Sequence, residues 1–205
     1  MFKSSEKSYM SSRNWDVDNG KESVILTPPS LCDFLYELVK DESFDTVWDI
    51  GCNTGNLSLP FHQAGHTTIG LDMEDTPYHA EFIEGDFFDT SLPMQVGDLV
   101  VCNPPFNDKD KLYGRKLLPE LFLRRIFELG GSNLKVVFFA PMGLRLNQRK
   151  KSPRWRWMRD CGAELSSIVS LPIDGFDGVQ FHMEVLLFNF ENLNSHYFTT
   201  DTVWE

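Results

Sequence analysis

Val47-Trp48-Asp49-Ile50-Gly51-Cys52-Asn53-Thr54-Gly55-Asn56-Leu57 reads as a short buried strand, a tight glycine loop and the start of a helix. Gly51 and Gly55 let the backbone approach a ligand closely, and Asn53 is the non-glycine residue type most tolerant of a left-handed turn. Twenty-one residues after Gly51, a second apolar run, Thr67-Thr68-Ile69-Gly70-Leu71-Asp72, ends in a carboxylate. An acid there can accept both hydroxyls of a ribose, which holds a nucleoside across the ends of adjacent parallel strands.

Outward from this unit, further apolar runs occupy 80–83, 98–102, 134–140, 167–171 and 184–190. They are continuous in Val, Ile and Phe rather than alternating, which suits strands covered on both faces. Helices are expected between them at 30–40, 55–64, 118–130 and 153–162. Ser30 with Asp33 can form an N-terminal box, Pro119 suits a first turn, and Gly130-Gly131 stops the third helix. Phe122, Ile126 and Leu129 fall at helical spacing and read as core. The alternation predicts an α/β, doubly wound, mostly parallel sheet. Residues 21–190 form one domain, with a polar arm over 1–20 and a polar tail over 191–205.

The loop discriminates between nucleotide cofactors. A dinucleotide fingerprint would need glycine where this chain has Asn53 and Asn56. The pattern Asp49-x-Gly51-x-Asn53-x-Gly55 instead resembles the cofactor loop of S-adenosylmethionine-dependent methyltransferases. The fourth strand runs into Asn103-Pro104-Pro105-Phe106. Two consecutive prolines remove two N–H donors and hold the backbone extended, so the Pro104 carbonyl is expected to point into a cleft beside the Asn103 amide. Two acceptors and the flat face of Phe106 suit a planar group bearing an exocyclic NH2.

On these residues the stretch 24–190 resembles the amino-methyltransferases, most specifically the adenine-N6 group in its gamma motif order. The resemblance implies a Rossmann-like methyltransferase fold with a seven-stranded sheet and an antiparallel strand near the C-terminus. It implies S-adenosyl-L-methionine as cofactor, with Asp49, Gly51, Cys52, Asn53 and Gly55 as its loop. Asp72 and Met73 would lie at the ribose, Asp86 and Phe87 at the adenine ring, and Thr27 and Pro28 near the methionine moiety. Asn103, Pro104, Pro105 and Phe106 would be the catalytic tetrapeptide, with Asn103 also touching the cofactor. Asn53 departs from the commoner glycine, and the chain is too short for an appended target-recognition domain, so a partner chain could supply specificity. The same tetrapeptide occurs in rRNA and tRNA base methyltransferases and in enzymes that methylate protein glutamine. A degenerate, non-catalytic binding subunit is a further alternative, against which the intact Asn103–Phe106 and Asp72 argue.

Composition sets the frame. The 205 residues are 41% hydrophobic and 24% charged, enough to bury a core, which excludes a disordered chain and a disulfide-stapled miniature. The polar N-terminal stretch has no signal-peptide core and no apolar run approaches the ~20 residues of a membrane span, so a soluble, cytoplasmic protein is expected. Cys32, Cys52, Cys102 and Cys161 show no metal or disulfide spacing. His182-Met183-Glu184 lacks the cysteine pair of a zinc deaminase and reads as a strand start. Asp16–Gly20 has the wrong spacing for a calcium loop. No metal is expected.

Net charge is −11, yet between Arg145 and Arg159 there are seven bases and no acid. This +7 segment stands on a body of −18. It follows the fifth strand, so it emerges at the carboxyl edge where open α/β sheets bind ligands. A nucleic-acid substrate, DNA favoured over RNA, is therefore expected on Arg145, Arg149, Lys150, Lys151, Arg154 and Arg156. Trp155 and Trp157, within the same segment, could stack on bases or anchor the helix.

Overall fold

In a computed structural model, residues 26–106, 117–146, 149–176 and 182–204 are described, and the arm over 1–20 lies outside them. Strand β1 (Thr46–Ile50) is buried from Val47 onward, Asp49 included. Its burial on both faces follows from its place mid-sheet, between β2 (Thr67–Asp72) and β4 (Leu99–Cys102), both parallel to it. The order is β3-β2-β1-β4-β5-β7-β6-β8, completed by β3 (Glu81–Glu84), β5 (Lys135–Pro141), β6 (Leu165–Ser170), β7 (Met183–Phe188) and β8 (His196–Phe198). β7 is antiparallel to both β5 and β6, the antiparallel strand expected near the C-terminus.

Among the described residues the sheet has eight strands where seven were expected. β8 pairs in parallel with β6 from within the stretch read as a tail, and Val203 just beyond it is buried. A three-residue strand with flanking polar residues carries no apolar-run signal, which is why the sequence hides it. The Ser30 hydroxyl donates to the Val203 carbonyl and ties this end to α1.

Helix α1 (Pro29–Val39) begins one residue earlier than expected, with Pro28 in extended geometry at the N-cap and Pro29 in the first turn. Ser30 is thus inside the helix, and no side-chain box forms. Helix α2 (Leu59–Gln63) is shorter than the 55–64 expected, because 51–58 is spent on turns of the glycine loop. Helix α3 (Leu118–Gly130) keeps its expected bounds, and Gly131 at φ 85 closes it. Helix α4 (Pro153–Asp160) is capped by Ser152, whose hydroxyl accepts the Trp155 N–H at 3.1 Å.

Two apolar layers sandwich the sheet. Val137 and Phe139 of β5 face the layer containing Leu31, Phe61 and Val101. Val136 and Phe138 face Leu71, Leu123 and Ile126 on the other side. Period-two alternation along one strand thus feeds both cores, the packing of a doubly wound sheet. Among the described residues no helix is long and apolar enough to cross a membrane.

Candidate active site

At the carboxyl ends of β1 and β4 the chain forms a cleft lined by Leu26, Thr27, Asp49, Gly51, Cys52, Asn53, Asn56, Leu57 and Asn103. Six of these were read from sequence: Thr27, Asp49, Gly51, Cys52, Asn53 and Asn103. Leu26, Asn56 and Leu57 were missed, since none of them stands at a position of the loop or tetrapeptide motifs.

The loop is shaped by three left-handed residues, Gly51 (φ 70), Asn53 (φ 46) and Gly55 (φ 81). It is stapled to β2 throughout. Gly51 and Cys52 donate backbone N–H bonds to the Leu71 carbonyl, and Thr76 Oγ1 donates to the Asn53 carbonyl at 2.7 Å. Asp72 Oδ2 accepts the Asn53 N–H at 2.9 Å, while its Oδ1 accepts the Glu74 N–H at 3.2 Å. Asp72 therefore sets the loop's shape, and its carboxylate keeps acceptor capacity beside the cleft.

The loop's underside is packed by aromatic residues that sequence reading missed. A Cβ on Gly55 would stand 2.7 Å from ring atoms of Tyr78 and His79, and one on Gly70 would meet the Tyr78 ring at 2.7 Å and Cys52 Sγ at 2.9 Å. Gly51 has nothing within 4 Å of that position and faces open space. Gly55 is thus small for packing, whereas the space at Gly51 suits the close approach of a ligand. The Tyr78 hydroxyl lies 2.7 Å from Ser58 Oγ, which donates to Asp49 Oδ2 at 2.5 Å. Burial raises the Asp49 carboxyl to about 7, opposed by the Ser58 hydrogen bonds and reinforced by the Asp72 charge. Burial also pushes the thiols of Cys32, Cys52 and Cys102 up, away from the thiolate form a nucleophile needs.

Asn103 joins the two halves of the site. Its Nδ2 donates to Thr27 Oγ1 at 3.1 Å, and Thr27 is 5% exposed. The Thr27 carbonyl in turn accepts Asn56 Nδ2 at 3.1 Å. The residues before α1, the glycine loop and the end of β4 are thereby bound to one another. Pro104 is buried, Pro105 exposed, and Phe106 is half-buried against the α1-side core.

Other expected cofactor residues are placed differently. Pro28 caps α1 beside Thr27. Met73 is 64% exposed beyond β2. Asp86 follows β3 and accepts the Phe88 N–H at 2.9 Å. The Phe87 side chain is buried in the core, stacked on Phe122 with ring centroids 5.3 Å apart.

The basic segment divides. Arg145 makes a two-pronged pair with Glu184, which is 2% exposed, at 3.1 and 2.9 Å. Arg154 binds Glu120 at 2.6 Å and the Gly143 carbonyl at 3.2 Å. Arg159 pairs with Asp160. Arg145 and Arg154, read from sequence as nucleic-acid contacts, instead tie the segment to the body, because their acids come from remote parts of the chain. Arg149, Lys150, Lys151 and Arg156 are exposed.

No family profile matches the chain, and no curated protein matches it in sequence. The fold matches solved structures. A protein from Vibrio vulnificus assigned as the modification subunit of a type I restriction enzyme is 16% identical, with TM-score 0.62, over 97% of this chain and 55% of that one. A Listeria monocytogenes protein assigned as a class I S-adenosylmethionine-dependent methyltransferase is 13% identical, with TM-score 0.59, over 84% of this chain and 64% of that one. A Pyrococcus horikoshii protein assigned as an RNA methyltransferase is 18% identical, with TM-score 0.55, over 92% and 98%. The chain thus spans 55% and 64% of the length of the first two. The shared architecture is the Rossmann-like methyltransferase fold.

Proposed function

We propose that this chain transfers the methyl group of S-adenosyl-L-methionine to the exocyclic N6 amine of adenine in nucleic acid, DNA before RNA. One observation carries the reading: Asn103, ahead of two prolines, lines the same cleft as the glycine loop, with its Nδ2 engaged by Thr27. That bond leaves Asn103 Oδ1 as the amide atom for an incoming amine.

The residues fit the cofactor. Open space over Gly51 admits it, Asp72 stands at the end of β2 for the ribose, and Asp49 and Thr27 line the cleft for its cationic end. When bound, S-adenosyl-L-methionine supplies an electrophilic sulfonium methyl. Asn103 Oδ1 and the Pro104 carbonyl accept the two amine hydrogens of adenine, drawing the nitrogen out of plane and freeing its lone pair. The same dipoles stabilise the positive charge that develops on nitrogen. Phe106 stacks on the purine and fixes its approach. No strong base is required before transfer, since the amine hydrogen becomes acidic afterwards.

The likeness to the Vibrio protein, assigned as the modification subunit of a type I restriction enzyme, supports placing DNA first. The likeness to the Pyrococcus protein, assigned as an RNA methyltransferase, supports RNA as the second reading of the substrate. Labelled methyl transfer to separate DNA, RNA and protein pools, with mass spectrometry of the digested products, tests both. The expected product is N6-methyladenine from DNA. Methylglutamine as the sole product would overturn the proposal.

A further inference from the structure

Helix α4 buries none of its residues, yet it is fastened firmly. Arg154 reaches Glu120 in the first turn of α3 and the Gly143 carbonyl in the turn that follows β5. Trp157 lies under the Arg124 guanidinium, 4.4 Å from the ring centroid, and faces Phe127 at 6.5 Å. Arg145, two residues beyond Gly143, is locked to buried Glu184. Because α3 runs back from the end of β4 to the start of β5, its first turn lies at the sheet's carboxyl edge. The start of α4 is therefore pinned to the edge that carries Asn103.

With one face of the helix so engaged, the other face bears Trp155, 44% exposed, and exposed Arg156. Arg149, Lys150 and Lys151 precede the cap as a turn closed by the Ser152 N–H on the Arg149 carbonyl at 2.8 Å. Among the described residues Arg149, Lys150 and Lys151 make no ion pair with an acid and Arg156 only feels the charge of Asp160, while the other three bases of the segment are directly paired. Trp155 is thus a partly exposed aromatic face set among cations, and the charge around it attracts an anion although the chain is −11 overall.

From this geometry we propose that Trp155, with Arg149, Lys150 and Lys151, forms a docking surface for an unpaired nucleotide of the nucleic-acid substrate, the ring stacking on a base and the three cations tracking its flanking phosphates. The two tryptophans of one helix thus divide their labour: Trp157 anchors, Trp155 binds. The inference rests on the proposed nucleic-acid substrate, and it assigns Trp155 a role that the methyl-transfer site alone does not require.

The test is fluorescence anisotropy over a salt series with a labelled single-stranded DNA oligonucleotide and an abasic strand of the same length. Trp155→Ala should weaken the oligonucleotide roughly tenfold or more, Trp155→Phe much less, because stacking tolerates any aromatic face. The abasic strand should bind wild type and Trp155→Ala alike. The log–log salt slope should be unchanged in Trp155→Ala and should flatten by about 2 when Arg149, Lys150 and Lys151 all become alanine, at about 0.7 per phosphate on a single strand. Equal affinity of wild type and Trp155→Ala for the oligonucleotide overturns the docking surface, even if the protein methylates DNA. Parallel methyl-transfer assays on the same preparations separate the two claims, since absent adenine methylation with intact, Trp155-dependent binding overturns the catalytic reading and leaves the surface standing.

Discussion

Asp49 is the least comfortable residue of the site, a carboxyl 1% exposed at the end of a mid-sheet strand. Its folded pKa is raised from 3.8 to about 7, with burial as the leading cause. The native state therefore keeps a proton that the unfolded chain sheds between about pH 4 and pH 7, so Asp49 erodes stability as pH rises through that window and costs nothing below it. The ceiling of this penalty is about 4 kcal/mol, part of which the Ser58 hydrogen bond offsets. Asp49→Asn should be more stable than wild type by about 1–3 kcal/mol at pH 8 and equal to it near pH 4, as read from urea unfolding at both values. A variant less stable at pH 8 would refute the assignment. Thr27 acts on the same scale. Replacing it with valine keeps the shape and removes the hydroxyl that engages Asn103, so kcat should fall about tenfold for one lost hydrogen bond. S-adenosylhomocysteine affinity should be preserved, and Thr27→Ser should restore the rate. Full activity in the valine variant would mean that Asn103 is oriented by something else.

The glycine loop separates conformational need from packing need. Gly51→Ala meets only the strain of φ 70, about 1–2 kcal/mol, since nothing stands within 4 Å of the new methyl. Gly55→Ala adds a collision with the Tyr78 and His79 rings at 2.7 Å to its own φ of 81, and should cost about 1–3 kcal/mol more. Chemical denaturation of the two variants side by side measures the difference, and equal losses would show that the rings move aside freely. The sequence showed where these glycines stand and why Asn53 joins them, because left-handed turns are written in residue type. It was silent on Tyr78, whose place under Gly55 and Gly70 arises only when β2 and the segment after it fold over the loop. The same boundary runs through the helices. α3 kept its expected bounds because proline and glycine mark both ends, whereas α2 lost its first turn to the loop and α1 took its start from Pro29 rather than a serine cap.

Over the whole molecule, sequence reading recovers what is local and apolar and loses what is remote and polar. The central strands are continuous Val, Ile and Phe runs, so the doubly wound sheet was legible. β8 was not, being three residues held by its pairing with β6. The seven bases of 145–159 could be counted, but not which of them Glu120 and Glu184 would claim. Of the cleft, the loop and Asn103 were legible from spacing and Asn56 and Leu57 were not, nor was the packing of the Phe87 ring on Phe122. What remains is the claim that unites the two halves of the sheet edge, a methyl transfer steered by the amide of Asn103. Single-turnover methylation of an adenine-containing DNA duplex by wild type and Asn103→Ala, paired with calorimetric titration of S-adenosylhomocysteine, addresses it directly. The account predicts N6-methyladenine from wild type, none detectable from Asn103→Ala, and the same cofactor affinity in both. Undiminished N6-methyladenine from a folded, cofactor-binding Asn103→Ala would contradict it.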